Sequence, residues 1–89
     1  MEMTQTKTEK LLDALRVVMG LDECWDELDE YGKDCVNTVA RLVAEGKLSI
    51  EYVLLVWFIT QKEVEASTPN IPVRLWWKRL LMLNTVFEV

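Results

Sequence analysis

The amino-acid sequence predicts a single all-α domain, a compact bundle of about four helices over residues 1–89. Apolar residues recur at helical spacing in four segments, capping residues precede three of these segments, and glycine or proline residues separate them. A chain of 89 residues has room for only one hydrophobic core. We therefore expect one domain, with fraying confined to residues 1–5 and 86–89.

The first helix is predicted over about 7–19. Thr6 and Glu9 have the spacing of a capping box, in which a hydroxyl and a carboxylate satisfy backbone N–H groups at a helix start. Gly20 follows the segment at the position where a left-handed residue commonly ends a helix. The apolar residues at helical spacing between them are Leu11, Leu12, Leu15, Val18 and Met19.

The second helix is predicted over 23–45, between Asp22 as the N-cap and Gly46 as the stop signal. Gly32 interrupts this segment, and a glycine inside a helix costs about 1 kcal/mol relative to alanine. Two alternatives therefore remain open, a continuous helix and a helix kinked at Gly32.

The third helix is predicted over 50–66, with Ser49 as its N-cap and Leu48 and Val53 in the two positions of a hydrophobic staple. Its seven consecutive apolar residues, 53–59, make it apolar nearly all round, so we expect it to be the central helix. Pro69 and Pro72 break the chain after it, and the fourth helix is predicted over 72–84. The β-branched and aromatic residues after 84 are expected to leave the helix.

The net charge of −5 disfavours direct binding of nucleic acid, which needs clustered Lys and Arg. Residues 1–65 hold seven Lys/Arg against fourteen Asp/Glu, whereas residues 66–89 hold three against one. The body of the chain is therefore acidic and its last helix is basic. The polar N-terminus lacks a signal-peptide core, and no apolar run is long enough for membrane insertion. We expect the protein in the cytoplasm, or in the host cytosol if it is phage-encoded.

The acidic segment, residues 22–34, is the first candidate site, and three interpretations of it remain open. Glu23 with Asp26, and Glu27 with Glu30, have the helical spacing that places two carboxylates together for a divalent metal. The segment can also imitate nucleic-acid phosphates for a basic partner, or be an ordinary solvated surface. The partner-binding hypothesis rests on seven carboxylates: Asp22, Glu23, Asp26, Glu27, Asp29, Glu30 and Asp34.

The fourth helix is the second candidate, because tryptophan and arginine dominate the hot spots of protein interfaces. Its residues Arg74, Trp76, Trp77, Lys78 and Arg79 are predicted to dock on the rest of the chain or on a second copy. Adjacent Trp76 and Trp77 point about 100° apart on a helix, so one can be buried while the other faces outward. Its basic side chains are expected to face the acidic segment of the same chain or of a second copy.

We expect no catalytic residues, no metal site and no cofactor. The chain has no histidine, and Cys24 and Cys35 are too far apart on one helix for a disulfide or a shared zinc ion. The two cysteines are predicted to be small buried hydrophobes.

The sequence thus favours a non-enzymatic protein-interaction domain, a small acidic regulator, inhibitor or adaptor that binds another protein. We expect it also to form a homo-oligomer, a dimer. One form of this hypothesis is a phage- or mobile-element-type inhibitor of host machinery, by analogy alone. The alternatives are a Mg²⁺-dependent, carboxylate-metal enzyme acting on nucleotides and a structural assembly subunit.

Overall fold

The computed structural model describes the backbone of residues 6–64 and 68–88 and the side chains of residues 6–64 and 68–82. These residues form four α-helices and one 3-10 turn. The α-helices are α1 (Lys7–Val18), α2 (Glu30–Ala44), α3 (Ile50–Glu63) and α4 (Asn70–Glu88), and the 3-10 turn covers Trp25–Glu27. The predicted all-α bundle of four helices is therefore confirmed. Residues 1–5 and 89, where fraying was predicted, lie outside the described residues, whereas 86–88 are helical.

The ends of α1 follow from local sequence signals. The Thr6 hydroxyl accepts from the Glu9 N–H at 3.1 Å, and the Glu9 carboxylate accepts from the Thr6 N–H at 3.0 Å, which completes the predicted capping box. Gly20 ends the helix with a φ of +74°. This left-handed residue allows the Leu21 N–H to reach the Arg16 carbonyl at 2.7 Å, as in a Schellman motif.

The predicted second helix over 23–45 is wrong at its start. Residues 22–29 form a loop around the 3-10 turn, and α2 begins only at Glu30. Asp29 rather than Asp22 is the N-cap, since its carboxylate accepts from the Gly32 N–H at 2.7 Å. Gly32 therefore lies in the first turn of α2, and the alternatives of a continuous or a kinked helix through it both fall away. Gly46 ends α2 as predicted, with a φ of +80°.

The boundaries of the last two helices also differ from the prediction. Ser49 caps α3 by accepting from the Tyr52 N–H at 3.4 Å, but α3 ends at Glu63 rather than at residue 66, and 65–67 lie outside the described residues. Helix α4 begins at Asn70, two residues before Pro72, and continues through Glu88 instead of ending at 84. Pro72 is compatible with this start, because N–H groups in the first turn have no intrahelical partner.

Helices α2 and α4 occupy the middle of the bundle. Helix α2 packs against both α1 and α4, and α4 also packs against α3. The expectation that α3 is the central helix is therefore wrong. Helix α3 lies at the outside and buries only one face, which consists of Val53, Val56, Trp57 and Thr60.

A pair of tryptophans joins α3 to α4 in the core. The Trp57 and Trp76 rings meet edge to face, with centroids 5.9 Å apart and planes at 81°. The Trp76 indole N–H also donates to the Val53 carbonyl at 3.1 Å. Around this pair lie the other fully buried side chains, which include Leu15, Met19, Leu21, Val36, Val39, Val73 and Leu80.

Candidate interaction surfaces

The acidic segment does not form a ridge on one helix. Its residues are divided among a loop, the 3-10 turn and the first turns of α2. The spacing of Glu23 and Asp26 would bring their carboxylates together only if both residues lay on one helix. Glu23 instead lies in the loop and Asp26 in the 3-10 turn. Among the side chains that the structure describes, no three or more His, Cys, Asp or Glu residues are grouped so that they could hold a metal ion.

Two of the seven carboxylates make contacts within the chain. Asp22 forms an ion pair with Arg16 at 3.4 Å, and the Arg16 guanidinium also stacks 4.4 Å from the Trp25 ring. Asp29 caps α2 and forms an ion pair with Arg74 of α4. These two residues are therefore part of the fold.

Asp29 of the acidic segment contacts Asn70 and Arg74 of α4, and we name these three residues the Asp29 clamp. Its N–H donates to the Asn70 side-chain oxygen at 2.8 Å, and the Asn70 amide nitrogen donates to the Glu27 carbonyl at 3.2 Å. The Gly32 N–H lowers the pKa of the Asp29 carboxyl below its usual value. Desolvation opposes this effect, and the neighbouring Arg74 guanidinium lowers the pKa further. Of the basic side chains of α4 that were expected to face the acidic segment, Arg74 does so within the same chain, whereas Arg79 pairs with Glu63 of α3.

The other five carboxylates of the segment remain at the surface. Within the described residues they are exposed and take part in no ion pair: Glu23, Asp26, Glu27, Glu30 and Asp34. Lys33 is the only basic residue among them in sequence. After the internal pairs are formed, the surface of this segment therefore keeps a concentrated negative charge.

Most of the predicted docking residues of α4 contact α3 or the acidic segment of their own chain. Trp76 is buried and Trp77 is half-buried, so the two indoles differ in exposure as their angular separation predicts. Arg79 donates to the Thr60 hydroxyl at 3.1 Å and to Glu63 at 2.5 Å. Lys78 is exposed to solvent, and the Arg74 side chain is about half exposed although it pairs with Asp29. Within residues 70–82, the predicted docking residues therefore mainly pack on their own chain.

Three exposed large apolar side chains lie together on α3, the helix that the sequence predicted to be central. Leu55, Phe58 and Ile59 are 56%, 44% and 46% exposed. They are spaced i, i+3 and i+4, which makes them neighbours on one helix face. Exposed Glu51 lies one turn before them and exposed Lys62 one turn after them. We name the five residues 51, 55, 58, 59 and 62 the α3 strip. The apolar run 53–59 indicated that α3 has more apolar surface than one buried face needs, but it did not predict which residues are exposed.

Both cysteines are free. Cys35 is buried in α2 as predicted, and Cys24 is half-buried in the loop, where its thiol lies 3.7 Å from the Gly20 carbonyl. Burial raises the pKa of both thiols above the ordinary value. A raised pKa keeps a cysteine in its protonated form, which is a poor nucleophile.

A groove of about 410 Å³ lies between the α1–α2 loop and the start of α4. Its apolar lining includes Met19, Leu21, Trp57, Pro69 and Pro72. Glu27 and the Cys24 thiol are the titratable groups among its described lining residues. The Trp57 indole N–H, although buried, has no hydrogen-bond partner within the described part of the chain.

Across the described residues, none of the helices combines the length and the apolar character that a membrane crossing requires. Comparison with protein-family models, with curated protein sequences and with solved structures finds no match for this chain.

Proposed function

We propose that this chain is a non-enzymatic protein-interaction domain, a small acidic regulator, inhibitor or adaptor that acts by binding another protein chain. The observation that carries the proposal is the exposure of Leu55, Phe58 and Ile59 together on one face of α3. Contiguous large apolar side chains on a folded surface are typical of sites that a partner covers.

The exposure of these residues is not explained by an incomplete core. Leu15, Val36, Val53, Trp57 and Trp76 are at most 2% exposed, so the interior is already well filled. Fully burying a large apolar side chain stabilises by roughly 1.5–3 kcal/mol, and each of the three strip residues is about half exposed. Covering them would therefore contribute about 2–4 kcal/mol to association. That is a substantial part of the free energy of a micromolar complex.

The acidic segment supports the regulatory form of the proposal. Its five exposed carboxylates would attract a basic surface of a partner and accelerate encounter at low salt. Replacing Asp26 and Glu30 together by lysine reverses two charges there, a change of four charge units, without altering the residues of the Asp29 clamp. We expect the reversed variant to stay folded and to lose affinity for a basic partner.

Photo-crosslinking tests the proposal directly. A benzophenone amino acid is placed at position 58 in cells that produce the protein, and at Val17 as a matched control, because Val17 is also apolar and is 64% exposed on α1. We expect position 58 to give a discrete adduct with a protein chain, and position 17 to give none. The absence of any protein adduct at position 58 would overturn the proposal.

A further inference from the structure

We propose that the α3 strip is a homodimer interface in which α3 of one copy packs antiparallel on α3 of a second copy, about a two-fold axis. This inference rests on the proposed function and names the partner as a second copy of this chain. It differs from the sequence-based expectation, which placed self-association on the tryptophans of α4.

The strip has the spacing that helix pairing requires. Glu51, Leu55, Phe58 and Lys62 are separated by four, three and four residues, as along the seam of a coiled coil. At about 100° per residue, these four positions lie within an arc of roughly 60°. Their Cα atoms extend over about 16 Å along the helix. The buried residues Val53 and Thr60 lie on the opposite side of α3.

The charges at the two ends of the strip select the orientation. In an antiparallel pair, Glu51 of each copy lies opposite Lys62 of the other copy, which makes two identical ion pairs. In a parallel pair, Glu51 would face Glu51 and Lys62 would face Lys62, and both contacts would be repulsive. The strip is therefore complementary to itself only when the second copy is reversed.

The centre of the same arrangement is apolar. The midpoint between positions 51 and 62 falls between Leu55 and Phe58, so the two-fold axis passes there. Phe58 of one copy then packs beside Leu55 of the other, and Ile59 widens the apolar contact. Helix α3 lies at the outside of the bundle with α4 as its main neighbour, so a second helix can approach its exposed face.

The size of the interface sets the expected affinity. One pair of helices of 14 residues is at the small end of specific protein interfaces. We therefore expect a reversible dimer with a dissociation constant of roughly micromolar magnitude. Such an equilibrium is visible by sedimentation of the purified full chain over a range of concentrations.

The apolar contact is tested with Phe58→Ser and a matched control, Met82→Ser. Both residues are exposed, at 44% and 63%, and neither belongs to the buried core. We expect Phe58→Ser to weaken dimerisation by at least about tenfold, as loss of a central aromatic anchor does. Met82→Ser should dimerise like the unmodified chain. Circular dichroism verifies that both variants keep their helical content.

The orientation is tested with Glu51→Lys and Lys62→Glu. Each single substitution turns two attractive contacts of the antiparallel pair into two repulsive contacts, and we expect roughly tenfold weaker dimerisation at low salt. Mixing the two variants in equal amounts should restore association, because each copy then supplies the charges that the other lacks. The double variant should also dimerise like the unmodified chain, and high salt should reduce all these differences.

Three results would overturn the inference. These are a purified chain that stays monomeric up to several hundred micromolar, a dimer that survives Phe58→Ser, and mixed charge variants that associate no better than either one alone. A monomeric chain whose position 58 crosslinks to a different protein would remove the homodimer and leave the proposed function supported. A crosslink between two copies at position 58, together with restored association in the mixture, supports the homodimer, and the regulatory form of the proposed function is then tested by the reversal of Asp26 and Glu30 alone.

Discussion

Replacing Trp76 by phenylalanine tests how the core joins α3 to α4. Trp76 is fully buried, its ring meets Trp57 edge to face at 5.9 Å, and its indole N–H donates to the Val53 carbonyl at 3.1 Å. Phenylalanine keeps an aromatic ring against Trp57 but removes the N–H and part of the ring volume. The sequence placed Trp76 among the predicted docking residues of the fourth helix, whereas its burial predicts an effect of this substitution on stability.

The magnitude follows from the two contacts that are lost. The hydrogen bond contributes about 0.5–1.5 kcal/mol. The space left by the smaller ring costs about 1–2 kcal/mol. We therefore expect Trp76→Phe to lower the free energy of unfolding by about 2–3 kcal/mol. A domain of 89 residues has a total of roughly 4–13 kcal/mol, so the variant should remain folded. Trp76→Ala would remove about 3–5 kcal/mol, which is comparable to the lower end of that total.

Urea denaturation followed by far-UV circular dichroism measures this difference, at protein concentrations low enough to keep the chain monomeric. The m-value should stay constant, so that the shift in midpoint reports stability alone. Trp77→Phe is the matched control, because Trp77 is only half-buried and makes no indole hydrogen bond within the described residues. We expect the control to change stability by less than about 1 kcal/mol. A loss below about 1 kcal/mol for Trp76→Phe would refute the reasoning.

Three further predictions concern the clamp around Asp29. Asn70→Ala removes both side-chain hydrogen bonds to the acidic segment, and we expect a loss of about 1–2 kcal/mol in urea denaturation together with faster hydrogen exchange at the Asp29 amide. The pKa of Asp29 is lower in the folded state than its ordinary value of 3.8. The charged carboxylate therefore stabilises the fold at pH values above 3.8, and this stabilisation is lost as the pH falls through the folded-state pKa. The stability difference between the unmodified chain and Asp29→Asn should therefore shrink below pH 3.8, and a difference that is constant across acidic pH would contradict this assignment. Gly32→Ala should lower the free energy of unfolding by about 1 kcal/mol, despite the higher helix propensity of alanine. The new β-carbon would lie 3.1 Å from the Leu28 side chain and 3.3 Å from the Asn70 side-chain oxygen, which is hydrogen-bonded to Asp29. A variant that is equally stable or more stable would show that these neighbours move aside without cost.

The charge distribution in the sequence pointed towards the clamp but did not locate it. The opposition of an acidic segment and a basic helix predicted that the two would face each other, and Arg74 does form an ion pair with Asp29. The charge pattern could not show that Asp22 and Asp29 form ion pairs within the chain while the other five carboxylates of the segment stay exposed. Those assignments depend on where α4 lies, and composition contains no information about that position.

The sequence by itself determined the helix ends that depend on neighbouring residues. The Thr6–Glu9 capping box, the left-handed Gly20 and Gly46, and the Ser49 cap are confirmed, because each acts through contacts between residues a few positions apart. These local contacts specify both ends of α1, the end of α2 and the start of α3.

Only the tertiary structure decided where α2 begins and which face of α3 is covered. Asp22 and Asp29 are both suitable N-caps, and Asn70, 41 residues after Asp29, is the side chain that holds the Asp29 backbone in place. Helix α3 is apolar on both sides, and the packing of α4 through Trp76 fixes which side is buried. Both outcomes depend on contacts between residues far apart in the chain, and the uncovered face that results is the surface proposed here for dimerisation.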